Sequence, residues 1–220
     1  MFNFVKPGAM ALSGLLLSVA SVASANLVAD GSFEQAPASS GSFAIYSGGS
    51  TFGGWSVFGN QILQIDSSYG EPGQGVSSFT AQDGLNAVDL TGAGNQGTSG
   101  VEQYIATLPG QQYEVSFYVG RADGTSGNYS TDSELLFNFD GNIGFATNSD
   151  VTTGGINWKQ FTVSFTAVTA SSYIGFVNTT GTNNYVGLDN VSVNAVPEPA
   201  SMAALGFGAL ALLRRRRSAK

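Results

Sequence analysis

Residues 26–195 hold fourteen carboxylates against two bases, Arg121 and Lys159, and the chain contains neither histidine nor cysteine. Without an imidazole there is no Ser-His or Cys-His nucleophile and no histidine metal ligand. Without thiols an exported chain must rely on its core or on a metal rather than on disulfides. Carboxylates alone can do two things: act as an acid/base pair on a glycosidic bond, or hold a hard cation. Asp83 and Asp89 flank one strand-like run, and Glu102, Glu114 and Glu134 lie on or near others, but no spacing singles out a pair. A non-catalytic protein is therefore expected. Asp123 and Asp132 in DGTSGNYSTD read as an ordinary polar loop, and Asp140-Gly141-Asn142 reads as a hairpin turn.

Asp189 stands apart. Side chains alternate along a strand, so if Val191 and Val193 face the core, Asp189 faces inward too. A buried carboxylate needs a partner or takes up a proton. With two bases in the domain, a divalent cation is the natural partner, and Ca²⁺ takes six to eight oxygens. The competing reading is a bulge that turns Asp189 outward, or backbone N–H groups that satisfy it.

Aromatic planes pack on the C–H faces of sugar rings. Tyr118 has the opposite parity to its core-facing neighbour Tyr113, and Tyr46, Tyr69, Tyr129 and Tyr185 lie in or beside loops. These five are the candidate ligand-binding residues. Trp55 and Trp158 read as core.

The elements that must position these groups are strands. In YEVSFYV, residues 113, 115, 117 and 119 share one face, and KQFTVSFTA repeats the alternation. Further strands are expected at 55–58, 61–66, 86–90, 101–107, 134–139, 172–178 and 185–193, with long loops at 36–54, 67–84 and 122–132. Many short strands between Gly, Ser, Asn, Asp and Thr loops indicate an all-β jelly-roll β-sandwich at 26–195.

The ends have a different character. Residues 1–25 carry Lys6, an apolar stretch from 9 to 23 and the small-residue site Ala23-Ser24-Ala25, the pattern of a signal peptide cut after Ala25. The whole chain is −7; setting aside Lys6 and the net +4 of 196–220 leaves 26–195 at −12. Such a domain repels phosphate backbones, which excludes nucleic acid as a partner. Residues 200–213 would span about 21 Å as a helix, short of the roughly 30 Å of hydrocarbon. Arg214, Arg215, Arg216 and Arg217 extend its reach and orient it with the domain outside.

Pro197-Glu198-Pro199, the hydrophobic helix and the arginine cluster resemble the PEP-CTERM sorting signal of Gram-negative bacteria. The resemblance implies export, transient residence in the inner membrane, removal of the tail by an exosortase, and delivery to the cell surface or exopolysaccharide matrix. NLVADGSFEQ, GWSVF, DGLNAVDLTG and NYVGLDNVSVN, in that order, resemble the galactose-binding-like jelly rolls, including carbohydrate-binding modules and the DUF642 or choice-of-anchor-C domains. Such relatives often hold a structural Ca²⁺ where first and last strands meet. The matching positions are Glu34 and Asp189. The reading is an exported carbohydrate-binding protein, with extracellular polysaccharide as partner; a purely structural biofilm-matrix protein and a glycoside hydrolase are the alternatives.

Overall fold

The computed structural model describes residues 25–35, 37–94, 97–125, 127–179, 184–197 and 206. Of the expected signal helix (1–25) only Ala25 is described, and of the hydrophobic C-terminal helix only residue 206, which is helical and exposed; Glu198, Pro199 and Arg214 to Arg217 lie outside the described residues. Ala25 and Pro197, both described, are exposed.

Among the described residues, twelve strands form two six-stranded antiparallel sheets. The first sheet runs β1 (Phe43–Ser47), β4 (Gln61–Asp66), β5 (Asn86–Asp89), β12 (Gly187–Ala195), β7 (Gln112–Ala122), β10 (Ile156–Thr166). The second runs β2 (Thr51–Phe52), β3 (Trp55–Gly59), β6 (Ser99–Ala106), β11 (Ser171–Asn178), β8 (Ser133–Phe139), β9 (Asn142–Asn148). The chain crosses between the sheets at β1 to β2, β3 to β4, β5 to β6, β6 to β7, β7 to β8, β9 to β10, β10 to β11 and β11 to β12, which makes a jelly-roll sandwich.

Between the sheets lies an aromatic core. Trp55, Phe33, Phe117, Phe139 and Phe176 are fully buried, and Phe117 packs edge-on to Phe176 with centroids 5.0 Å apart. Each such side chain contributes roughly 1.5–3 kcal/mol by leaving water. Tyr113 is core, as expected, and its hydroxyl accepts the Leu108 N–H at 2.9 Å. The two ends are sewn together: Leu27 N–H donates to Val193 O at 3.0 Å, and Asn26 Oδ1 accepts the Val193 N–H at 2.9 Å.

Three strands differ from the sequence expectation. Residues 36–54, read as one loop, contain β1 and β2, and β9 follows the hairpin turn at Asp140-Gly141, whose φ values of 51° and 92° suit a tight two-residue connection.

A second, smaller core covers the outer face of the first sheet. Leu63, Ile65, Val76, Phe79, Ala122 and Tyr185 are buried there. One cross-strand row on this face reads Leu63, Asp89, Gly187, Gly120, Trp158. The two glycines leave a trough, and the ring of Tyr185 fills it. A Cβ on Gly120 would sit 2.7 Å from Trp158 and 2.9 Å from Tyr185, and one on Gly187 would sit 2.6 Å from Tyr185. Tyr185 is thus buried, a correction to its reading as a surface residue, because side-chain-free strand positions beneath it admit the ring. Trp158 is half-buried beside it and donates Nε1–H to Thr80 O at 2.8 Å, while Trp55 is the core tryptophan.

Candidate functional site

The expected loop at 67–84 folds down onto this outer face and builds a pocket of about 170 Å³. Its rigidity comes from a short hairpin: Glu71 and Val76 exchange backbone hydrogen bonds around the 3-10 turn Pro72–Gln74, and Gly75 closes the turn at φ 85°. Proline at the first position and a left-handed glycine at the end are what such a turn needs. Phe79 anchors the loop by packing on Tyr69, Tyr129 and Tyr185 at 5.7, 5.6 and 5.2 Å.

Glu71 is thereby held at the pocket wall. Tyr69 Oη donates to its Oε1 at 2.9 Å and Tyr129 Oη to its Oε2 at 3.0 Å. Burial, with the Glu71 hydrogen bond and charge, pushes Tyr69 up to about 12, and burial with the Glu71 charge raises Tyr129 further. Both phenols stay protonated donors. Phe43, Gln74, Asn128 and the Gly92–Gly94 backbone complete the rim, and Asp89 lies at the wall. Asp89 is almost fully buried, and burial pushes it up to about 7 against the Thr91 N–H, Thr91 hydroxyl and Val186 N–H that favour its charged form.

Of the five tyrosines selected from the sequence, the structure brings Tyr69 and Tyr129 together. Tyr46 sits in β1 and stacks on Phe52 at 4.4 Å, closing the sandwich edge. Tyr118 is half-buried on the outer face of β7, opposite Asp189. Tyr185 lies beneath Phe79. Glu71, Phe43 and Asn128 were not selected; the proline and glycines of EPGQG signalled a tight turn around Glu71, but nothing local tied it to tyrosines elsewhere. On the second sheet, Tyr104 is 68 % exposed and packs edge-on to Tyr173, whose hydroxyl donates to Glu102 at 2.9 Å; this is an open surface, not a pocket.

Asp189 departs from simple alternation. A bulge between Asp189 and Ser192 puts two residues, Asp189 and Asn190, between the core positions Leu188 and Val191, and Asn190 takes φ 47°. Asp189 is on the outer face, buried under residues 82–83. Its Oδ2 accepts the Gln82 and Asp83 N–H groups at 2.8 and 3.0 Å, and its Oδ1 accepts that of Asn190 at 2.6 Å. Burial pushes it up to about 7. Glu34 likewise takes the Leu85 and Asn86 N–H groups on Oε1 at 2.8 and 2.7 Å and Asn86 Nδ2 on Oε2 at 2.9 Å. Every oxygen of the two carboxylates faces an N–H donor. Among the described residues no three acidic side chains converge to hold a metal. This donor set does not fit a Ca²⁺ shared by Glu34 and Asp189.

Arg121 is spent elsewhere: 5 % exposed, it donates to Ser149 O at 2.7 Å and Thr131 O at 3.1 Å and pairs with Asp123 at 3.3 Å. Among the described residues no helix is long and apolar enough to cross a membrane.

No curated protein matches. Among solved structures, TmCBM61 in complex with β-1,4-galactotriose is 16 % identical with TM-score 0.43, covering 78 % of this chain and 99 % of that one. A family 35 carbohydrate binding module from Clostridium thermocellum is 16 % identical with TM-score 0.40, over 69 % of this chain and 97 % of that one. The exo-β-1,3-galactanase from Phanerochaete chrysosporium is 18 % identical with TM-score 0.40, over 69 % of this chain but 29 % of the enzyme. Residues 195–217 match the PEP-CTERM protein-sorting motif, which marks the chain for export-linked sorting to the cell envelope. Residues 26–194 match the model for the protein of unknown function DUF642, and the chain belongs to that family.

Proposed function

We propose that this chain is a non-catalytic, carbohydrate-binding protein of the cell surface or exopolysaccharide matrix, delivered there after an exosortase removes its tail at the inner membrane. The observation that carries the reading is the pocket: two tyrosine rings, a carboxylate fixed by both their hydroxyls, and amide groups at its rim. Aromatic walls with a few convergent polar groups are the usual make-up of a small-ligand site. At about 170 Å³ the pocket is smaller than the roughly 300–1,000 Å³ that drug-sized ligands occupy, a scale suited to one sugar ring.

The support for the non-catalytic part is the state of Asp89. A glycosidase needs two carboxyl groups free to reach opposite sides of the scissile bond. Asp89 Oδ1 already accepts the Thr91 N–H, the Thr91 hydroxyl and the Val186 N–H, at 2.9, 2.8 and 3.1 Å. That leaves Glu71 without a second carboxyl of equal freedom in the pocket. A glycan array probed with the purified protein tests the reading: wild type binds at least one polysaccharide without cleaving it, and Tyr129→Ala abolishes the signal. Release of reducing ends, or an array with no hits, would refute it.

A further inference from the structure

The pocket carries a charge that the protein leaves uncompensated. Glu71 accepts one hydrogen bond on each oxygen, from Tyr69 and Tyr129. A carboxylate offers about four acceptor positions, so about two remain open. Among the described residues no lysine or arginine lines the pocket. The domain's two bases are engaged away from it, Arg121 with Ser149 O, Thr131 O and Asp123, and Lys159 3.7 Å from Asp150. The complementary charge must then come from the ligand. The tyrosine rings favour the same sign, because an aromatic face attracts a cation.

We propose that the pocket receives an amino sugar, a pyranose bearing a protonated amine, with the amine donating to the open acceptor positions of Glu71 and the ring packing on Tyr69 and Tyr129. This rests on the carbohydrate reading above and narrows it. The same geometry excludes sugars with carboxylate, sulfate or phosphate groups, which would face Glu71 with no base to receive them. An N-acetylated sugar keeps an N–H donor but loses the charge. Glu71 is the charged acceptor in both cases, so acetylation keeps the hydrogen bond and loses the ion pair, a loss of about tenfold in affinity, or about 1.4 kcal/mol.

The experiment is a calorimetric titration of the purified full-length protein with three series of matched length: glucosamine oligosaccharides, their N-acetylated forms, and galacturonate oligosaccharides. The expected result is binding of the glucosamine series about tenfold tighter than the acetylated one, with no galacturonate binding. Glu71→Gln is expected to collapse that ratio toward one. Tyr129→Phe, which keeps the ring and removes one hydroxyl that orients Glu71, provides a second variant should Glu71→Gln fail to fold, and it too lowers the ratio. Equal or tighter binding of the acetylated or galacturonate series overturns the amine assignment while the carbohydrate reading stands. Binding of none of the three, when the array shows hits, also overturns it; an empty array as well overturns both.

Discussion

Replacing Asp89 by asparagine is expected to stabilise the protein at pH 8 and to leave it almost unchanged at pH 4. The folded carboxyl holds its proton up to about 7, because burial disfavours its charge, whereas an unfolded aspartate releases it near the ordinary 3.8. Between those values the folded state binds more protons than the unfolded state, so stability is full below about pH 4, declines as pH rises to about 7 and is flat above. At about 1.36 kcal/mol per pH unit, three units set a ceiling of about 4 kcal/mol, and relaxation around a buried charge brings the expected gain to about 2 kcal/mol. Asparagine suits the site: its Oδ1 keeps the Thr91 and Val186 N–H groups, and its Nδ2 can donate to the Thr91 hydroxyl oxygen, whose single proton then turns from residue 89 to Asn184 O, 2.5 Å away. Urea titrations of wild type and Asp89→Asn at both pH values measure the difference. A variant equally or less stable than wild type at pH 8 would refute the burial argument.

Gly120→Ala places a methyl 2.7 Å from the Trp158 ring and should cost about 1–3 kcal/mol, read as a lowered midpoint in thermal melts. Tyr185→Phe should be neutral or stabilising by about 1 kcal/mol, since its buried hydroxyl has no hydrogen-bond partner; urea unfolding shows the sign. Chelation with EDTA should leave Tm unchanged, because Glu34 and Asp189 are satisfied by N–H donors; a drop of several degrees in a calorimeter would restore the cation. Arg121→Ala removes a buried cation that joins β7 to residues 130–132 and 149, and should cost about 3–5 kcal/mol in the same unfolding assay.

Where one face of a strand is buried, the sequence was enough. Strand β4 falls at the expected 61–66, and β7 puts Tyr113, Val115, Phe117 and Val119 on one side, because alternation is imposed by the pleat itself. Alternation fails where the backbone adds a residue: the bulge held open as the competing reading puts Asp189 on the outer face, where backbone N–H groups satisfy it. Strands β1 and β2 hid among glycines and serines, and their register is set by partners across the sheet, not by their own pattern. The pocket was half visible. Tyr69 and Tyr129 stood out as loop aromatics, but Glu71 gains its role from hydroxyls 2 and 58 residues away, a convergence that only the closed loop creates. Tyr185 was misjudged for the opposite reason, since the space that buries it is made by the absence of side chains at Gly120 and Gly187.

The account stands most directly on where a sugar touches the molecule. Amide shifts in a ¹⁵N–¹H spectrum, followed while an oligosaccharide that binds is titrated in, are predicted to move at residues 69, 71, 74, 92–94, 128–129 and 184, which line the pocket. Shifts confined to Tyr104, Tyr173 and their neighbours on the open second sheet would contradict it.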